Sequence, residues 1–213
     1  AFFAETIGNP RNDVLDIEGV SGVAHANDVP LIVDNTVATP YLIRPLEWGA
    51  DIVVHSATKY LGGHGNSIGG VIVDGGTFDF SASGKYPGFT EPDPSYHGLK
   101  FWEALGPGSF IIKARVQLLR DIGPAISPFN AFLLLQGIET LSLRVDRHNE
   151  NAVRVAEFLS HHPQVESVSH PSRPDSPWHE RAKKYGREGG YGAVVVFLIE
   201  GGKEAGQRFV EAL

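Results

Sequence analysis

Apolar residues along this chain fall into two patterns, short unbroken runs and stripes at helical spacing, and their alternation predicts an α/β fold. "AFFAE" reads as the end of a strand, followed by the turn "TIGNP". In "VLDIEGVSGVAHAND", Leu15, Ile17, Val20, Val23 and Ala24 follow helical spacing. "PLIVDN" and "DIVVHSA" are short buried strands, with a loop and a short helix in "ATPYLIRPLEWGA" between them. Roughly 15 residues separate the two strands, enough for a crossover, so the pair is predicted to be parallel and right-handed. "GGVIVDGG" follows after only about ten residues, too short for a crossover, and is predicted to run antiparallel.

From Phe78 to Gly108 the pattern breaks down into Pro, Gly and aromatic residues, "KYPGFTEPDPSYHGLKFW" among them. A stretch this long with little regular structure is a functional or a disordered loop, and its aromatic content argues for ordered and packed. Ser109 is expected to cap a helix running to Ile122, and Ser127-Pro128 to open the next. A stripe of Leu141, Val145, Ala152, Val155 and Leu159 predicts a long helix from Ile138 to about Ser160. Such a helix often bridges domains, so the chain divides into 1–147 and 148–213. In the second part "VESVSHP" and "YGAVVVFLIEGG" are strand-like, and "EAGQRFVEAL" is helix-like.

Composition narrows the classes. Of 213 residues, 42% are hydrophobic and 20% charged, ordinary for a globular protein with a real core. The net charge of −7, with no Lys/Arg-rich run, argues against a nucleic-acid surface. No apolar stretch reaches the roughly 18 residues of a spanning helix, and nothing resembles a signal peptide. Cysteine is absent, which removes disulfides, zinc–thiolate sites and thiol nucleophiles. A cytoplasmic protein without nucleic-acid or membrane partners fits best. Methionine is also absent, and the chain opens in a strand and stops in a helix-like run. It is therefore expected to be an internal portion of a longer protein, truncated at both ends.

If Leu31–Asp34 and Asp51–His55 are parallel, both deliver their following residues to one edge of the sheet, where ligands bind in open α/β folds. Asp34 then faces the same crevice as Ser56, Thr58 and Lys59. With neighbouring strands about 4.8 Å apart, one aromatic ring fits between carboxylate and amine. Lysine forms Schiff bases with carbonyls, and a carboxylate across a ring is what a pyridinium nitrogen needs. Together these residues suggest pyridoxal 5'-phosphate.

"ETIGNP", "VDNTVATPYLIRPLEWGADIVVHSATKYLGGHG" and "GGVIVDGG" resemble the Cys/Met-metabolism family of pyridoxal-phosphate enzymes. "FTEPDPSYHGL", "SPFNAFLLLQGIETLSLR" and "HNENAVRVAEFL" further resemble its O-acetylhomoserine/O-acetylserine sulfhydrylase branch. The resemblance covers essentially the whole chain, and Ser-x-Thr-Lys with the upstream Asp is specific in combination. It implies the aspartate-aminotransferase type of fold (fold type I), a mostly parallel sheet in a large domain followed by the start of a smaller α/β domain. It implies Lys59 as the lysine that carries the cofactor and moves protons, and Asp34 as the pyridinium partner. Ser56 and Thr58 are implied as phosphate contacts, Asn9 as the side chain near the ring's phenolic oxygen, and Thr36, in the family's Asp-x-Thr position, as a neighbour. The implied reaction is a transferase step of methionine biosynthesis, γ-replacement of acetate by sulfide on O-acetylhomoserine. The family's phosphate loop, its stacking tyrosine and the Tyr/Arg pair from a neighbouring subunit would lie before Ala1, and the substrate-carboxylate arginine after Leu213. A homotetramer built as a dimer of dimers is implied as well.

Other readings stand beside this one. Methionine γ-lyase, cystathionine γ-synthase and cystathionine γ-lyase share the first motifs. A Schiff-base aldolase would use Lys59 directly, and an internal fragment would bind nothing. Taken alone, Asp34 is a helix cap or an Asx-turn residue, and Asn9-Pro10 a turn. "GGHGNSIGG" lacks the third glycine of a dinucleotide motif and leads into a strand, and "SGKY" fails the phosphate-loop pattern. His161, His162 and His170 lack ligand-like spacing, and most of the nine histidines are expected in solvent, so no metal is expected. His97 and Tyr96 are candidates for gating the substrate or for packing, and Arg44 and Trp48 for anchoring a loop.

Overall fold

A computed structural model describes residues 1–213. Strand β1 (Phe2–Glu5) leads through the Thr6–Pro10 turn to helix α1 (Ile17–Ala26) and strand β2 (Leu31–Asp34). A short helix α2 (Thr39–Leu42) and a 3₁₀ turn at Pro45–Trp48 precede β3 (Ile52–Ser56), and β4 (Gly70–Asp74) follows. These strands form one sheet in the order β1-β2-β3-β4. β1, β2 and β3 are parallel, with Asp34 in register with Val54, and β4 pairs antiparallel to β3. The β1–β2 and β2–β3 links each carry a helix that crosses over between parallel strands, whereas the shorter β3–β4 link carries none.

The sheet is tied at each end by a buried polar side chain. Asp16 caps α1 by accepting from the Gly19 N–H, and the helix buries Ile17, Ser21 and Ala24. At the amino edge, the buried Asp51 carboxylate accepts from the Leu31 N–H (2.8 Å) and the Thr77 hydroxyl (3.1 Å), and contacts His25 Nε2 at 2.8 Å. At the carboxyl edge, the fully buried Asn35 accepts from Thr6 Oγ1 (2.5 Å) and donates to the Ile43 carbonyl (2.8 Å). Its backbone N–H bonds to Val54 O, so three segments meet at one residue. Burial of such groups is tolerated because each of their polar side-chain atoms has a hydrogen-bond partner. The apolar core around them includes Ile7, Val14, Ile17, Leu31, Val33 and Val53.

The Phe78–Gly108 segment is ordered and packed, as its aromatic content suggests. It contains helices α3 (Pro87–Thr90) and α4 (Phe101–Leu105) and two 3₁₀ turns. Phe80 is its centre, stacked on Phe89 (4.3 Å between ring centroids) and edge-on to Phe78 and Tyr86. Tyr86 OH donates to Asp28 O and Lys85 Nζ to Asn27 O, which fastens the segment to the end of α1. Hydrogen bonds from Ser95 and Lys113 hold the Asp93 carboxyl well below the usual carboxylate range.

Helix α5 (Ser109–Lys113) runs into a π-helical turn at Ala114–Leu119 and a last turn α6 (Arg120–Ile122). Ser109 is not the cap expected of it: it lies inside the helix, fully buried, with its hydroxyl unpartnered. Ser127 does cap α7 (Pro128–Glu139), accepting from the Asn130 N–H ahead of Pro128. The long helix expected from Ile138 is two helices, because Thr140 adopts non-helical dihedrals and opens α8 (Leu141–Ser160). α8 buries Leu141, Val145, Ala152 and Ala156, whereas Val155 is 47% exposed. The stripe therefore lies one position away from the expected Val155. α7 crosses the loop after β3 so closely that a Cβ on Gly137 would overlap the Gly62 carbonyl oxygen.

Strands β5 (Val165–Ser169) and β6 (Val196–Ile199) pair antiparallel as a second sheet, with helix α9 (His179–Tyr185) between them and α10 (Gly202–Glu211) after. α9 carries no pattern that singled it out in the sequence, and the strand expected over "YGAVVVFLIEGG" is confined to four residues. Asn12, in a left-handed conformation and buried, donates to Ser169 O and Val194 O and so joins the first sheet's loop to the second sheet. No helix is long and apolar enough to cross a membrane.

His55 and His170 depart from the solvated state expected of most histidines, being 7% and 1% exposed. His170 Nε2 lies 3.3 Å from Gly192 O and Nδ1 2.7 Å from Ser172 Oγ. Burial holds the His170 imidazole below its usual value of 6.5. The unfolded chain then binds the proton more tightly, so stability is complete above pH 6.5 and declines as pH falls through that value. Urea midpoints of the full-length protein measured across this range should fall less steeply for His170→Gln than for the parent. An equal decline would exclude His170 as the source. Gly137→Ala should lower the urea midpoint at neutral pH, by about 1–3 kcal/mol of overpacking.

Candidate active site

Both strands that approach the site end at the carboxyl edge of the sheet, and the local chemistry there begins with β2. Asp34 is the last residue of β2, and Asn35 points into the core, which turns Thr36 back toward β3. The Asp34 Oδ1 accepts from the Thr36 N–H at 2.9 Å, an Asx turn, and the second carboxylate oxygen has no partner within the chain. Thr36 Oγ1 accepts from the Ser56 N–H at 2.7 Å. The hydroxyl thereby fastens the end of β3 to the end of β2.

Lys59 follows within one tight turn: its N–H bonds to Ser56 O, and the Gly62 and Gly63 N–H groups bond to Ala57 O and Lys59 O. Thr58 closes the far side, its hydroxyl accepting from the Gly69 N–H (3.1 Å) and lying 3.3 Å from Gly69 O. Lys59 is exposed and takes part in no salt bridge.

An open cleft of about 440 Å³ contains Lys59, Thr58, Thr36 and Asn9 in its wall, with Tyr60 and Arg144 beside them. His148 and Val194 complete the rim from α8 and the segment before β6. Of the residues expected at the site, Asn9, Thr36, Thr58 and Lys59 therefore share one cavity. Asp34 and Ser56 stand at the same sheet edge, half-buried, but form no part of this cavity's wall. Asn9 donates its backbone N–H to Glu5 Oε2 and keeps its side chain for the cleft. Of the two residues weighed as loop anchors, Trp48 packs edge-on against Tyr185 and Arg44 pairs with Glu47.

A buried and a half-buried ionisable group, His55 and Tyr60, adjoin the edge. Burial depresses the His55 imidazole, opposed by its backbone contact at Asn35 and by the charge of Asp34, and His55 Nδ1 has no partner. Burial likewise raises the Tyr60 phenol above its usual value. Arg144 and His148 escaped the sequence reading because charged residues on an amphipathic helix read as a solvated face. Their spacing of four, one helical turn on α8, is the signal that places both on the cleft.

The donor set fits a planar, anionic aldehyde. An unpaired amine, hydroxyls and an amide line a volume within the range of small-cofactor sites, and a carboxylate with a free oxygen stands at the same sheet edge outside that wall. An α/β, mostly parallel sheet with these groups at its carboxyl edge is the architecture expected of a pyridoxal-phosphate-dependent enzyme. The sequence pattern of the Cys/Met metabolism PLP-dependent enzymes matches residues 1–213. The chain belongs to that family.

Among curated proteins it is 57% identical to the O-acetyl-L-homoserine sulfhydrylase of Leptospira meyeri, over the whole chain and 50% of that protein. It is 53% identical to the O-acetyl-L-homoserine sulfhydrylase of Corynebacterium glutamicum, over 49% of that protein. A solved structure of a Campylobacter jejuni protein assigned as an O-acetylhomoserine (thiol)-lyase, with N'-pyridoxyl-lysine-5'-monophosphate, superposes with a TM-score of 0.88. That match is 37% identical and covers 93% of this chain and 49% of the other. The chain spans about half the length of the curated relatives it matches.

Thr36 offers a test of the edge. Thr36→Val should cost about 1–3 kcal/mol, because the Ser56 N–H loses its acceptor, while Thr36→Ser should retain most of the parent stability. Denaturant unfolding of both variants checks this, and equal losses would show that the hydroxyl is not the fastening group.

Proposed function

We propose that this chain is the lysine-bearing half of an O-acetylhomoserine sulfhydrylase, which converts O-acetylhomoserine and sulfide to homocysteine and acetate in methionine biosynthesis. The observation that carries the reading is Lys59, unpaired at the carboxyl edge of the sheet, in a chain more than half identical to a sulfhydrylase. Lys59 holds the cofactor, with Asp34 facing the ring nitrogen, Ser56 and Thr58 the phosphate and Asn9 the phenolic oxygen. Thr36 keeps Asp34 and Ser56 in register. When bound, pyridoxal phosphate supplies an electron sink for negative charge on the amino-acid carbons.

The chain's own part is proton movement and placement. The flexible Lys59 side chain reaches substrate Cα and then Cβ, taking a proton at each. Loss of those protons lets the Cγ–oxygen bond break and acetate leave; hydrosulfide then forms the new bond at Cγ, and Lys59 returns protons to Cβ and Cα to give homocysteine. Residues 1–147 form the end of the large cofactor-binding domain, and 148–213 the linking helix with the start of the small domain. The two separate sheets support that division. The whole protein works in the cytoplasm as a homotetramer; the apolar Phe129, Phe132 and Leu135, each more than half exposed on α7, support burial in an assembly.

Borohydride reduction of the full-length protein with its cofactor, followed by peptide mapping, should place a pyridoxyl-phosphate group on Lys59. An adduct on another lysine would overturn the assignment. Lys59→Ala should lower kcat by at least about 10³-fold. Product analysis with acetylhomoserine plus sulfide, against methionine alone, should give homocysteine from the first and no ketoacid from the second. Ketoacid from methionine would identify a γ-lyase instead.

A further inference from the structure

Arg144 occupies an unusual position for a cation. It extends from the first turn of α8 to the loop after Lys59, where Nη1 donates to Tyr60 O (2.8 Å) and Nη2 to Leu61 O (3.2 Å). The same Nη2 donates to Gly137 O (2.6 Å), and Nε to Thr140 Oγ1 (3.2 Å). No carboxylate pairs with it. Its partners are thus three backbone carbonyls and a hydroxyl, gathered from the Lys59 turn, the end of α7 and the start of α8. Burial lowers its guanidinium below the usual value, a cost that these charge-assisted bonds offset.

The loop has no other comparable restraint on these carbonyls. Tyr60 and Leu61 are the two residues directly after Lys59, and their carbonyls receive no backbone N–H. Gly63, with φ of +74°, lies flat against the guanidinium, and a Cβ there would overlap Arg144 Cζ. A planar fork with five N–H groups can hold several carbonyls in fixed directions, whereas an ammonium cannot match that geometry. Arg144 also lines the cleft together with Lys59, so any displacement of the loop is felt at the amine.

We propose that Arg144 is the positioning residue for Lys59, its guanidinium locking the Tyr60 and Leu61 carbonyls so that the lysine turn presents its amine to the cleft. This rests on the assignment of Lys59 as the cofactor-bearing lysine. Misplacing a reacting group by about 1 Å can cost as much as 100-fold in rate.

The test uses the full-length protein with Arg144→Met and Arg144→Lys. Two quantities are followed: the rate at which added pyridoxal phosphate is captured on Lys59 in cofactor-depleted protein, read by reduction and mass, and amide exchange at Gly62 and Gly63. Capture should slow by about tenfold or more in the Met variant and less in the Lys variant, with kcat falling and KM little changed. Exchange should accelerate at Gly62 and Gly63 while amides of α1 and β2 keep the parent rates. Parent-like capture, or exchange that rises equally in α1 and β2, would overturn the proposal. If the Met variant does not fold, the Lys variant decides by the same two readings. A parent protein that captures no cofactor on Lys59 would sink the functional assignment, and the local exchange pattern alone would then decide whether Arg144 holds the turn.

Discussion

The site depends first on a buried amide. Asn35 follows the last residue of β2 inside the core, where an unmet donor or acceptor would cost about 1–3 kcal/mol. Thr6 and the Ile43 carbonyl meet its side chain, and Val54 O accepts its N–H. With residue 35 locked inward, its neighbours leave the core: Asp34 remains at the strand end and Thr36 turns to Ser56. Everything downstream, from Ser56 to the Lys59 turn, inherits its position from that point. A lysine on an exposed loop can thus be placed by buried groups two strands away.

Helix α8 supplies the second support. Its first turn carries Arg144 against the Lys59 loop, and Asp146, two residues on, accepts from Tyr41 OH at 2.7 Å. Asn149 then accepts from the Tyr191 N–H, in the segment that leads to β6. One rigid element therefore contacts the lysine turn, the α2 region and the second sheet. Close approach is possible because Gly137 and Gly63 present no side chain where α7 and Arg144 meet the loop.

Much of the fold was legible in the sequence because it rested on local or counting arguments. Unbroken apolar runs marked β2 and β3, and the length of each connection decided parallel or antiparallel pairing. Ser127-Pro128 opened α7 as cap chemistry requires. Errors arose where a tertiary contact overrode a local preference. Ser109 reads as a cap, yet Gly108 takes that place and Ser109 is buried as the first residue of α5. Val155 fits the stripe by spacing, but the turn of α8 puts Ala156 against its neighbours. His170 reads as a solvated polar residue until the Gly192 carbonyl closes over it.

The site divides along the same line. Local reading of the two strand ends singled out Lys59, Asp34, Ser56 and Thr58 as candidates, whereas Asn9 and Thr36 were expected only from the family's motifs. Three-dimensional packing alone decided that Asn35 and Thr36 hold the sheet edge, and that Arg144, 85 positions beyond Lys59, reaches back to its turn. A hydrogen bond between distant residues carries no local signature: an arginine on a helix and two glycines in a loop look ordinary until the chain brings them together.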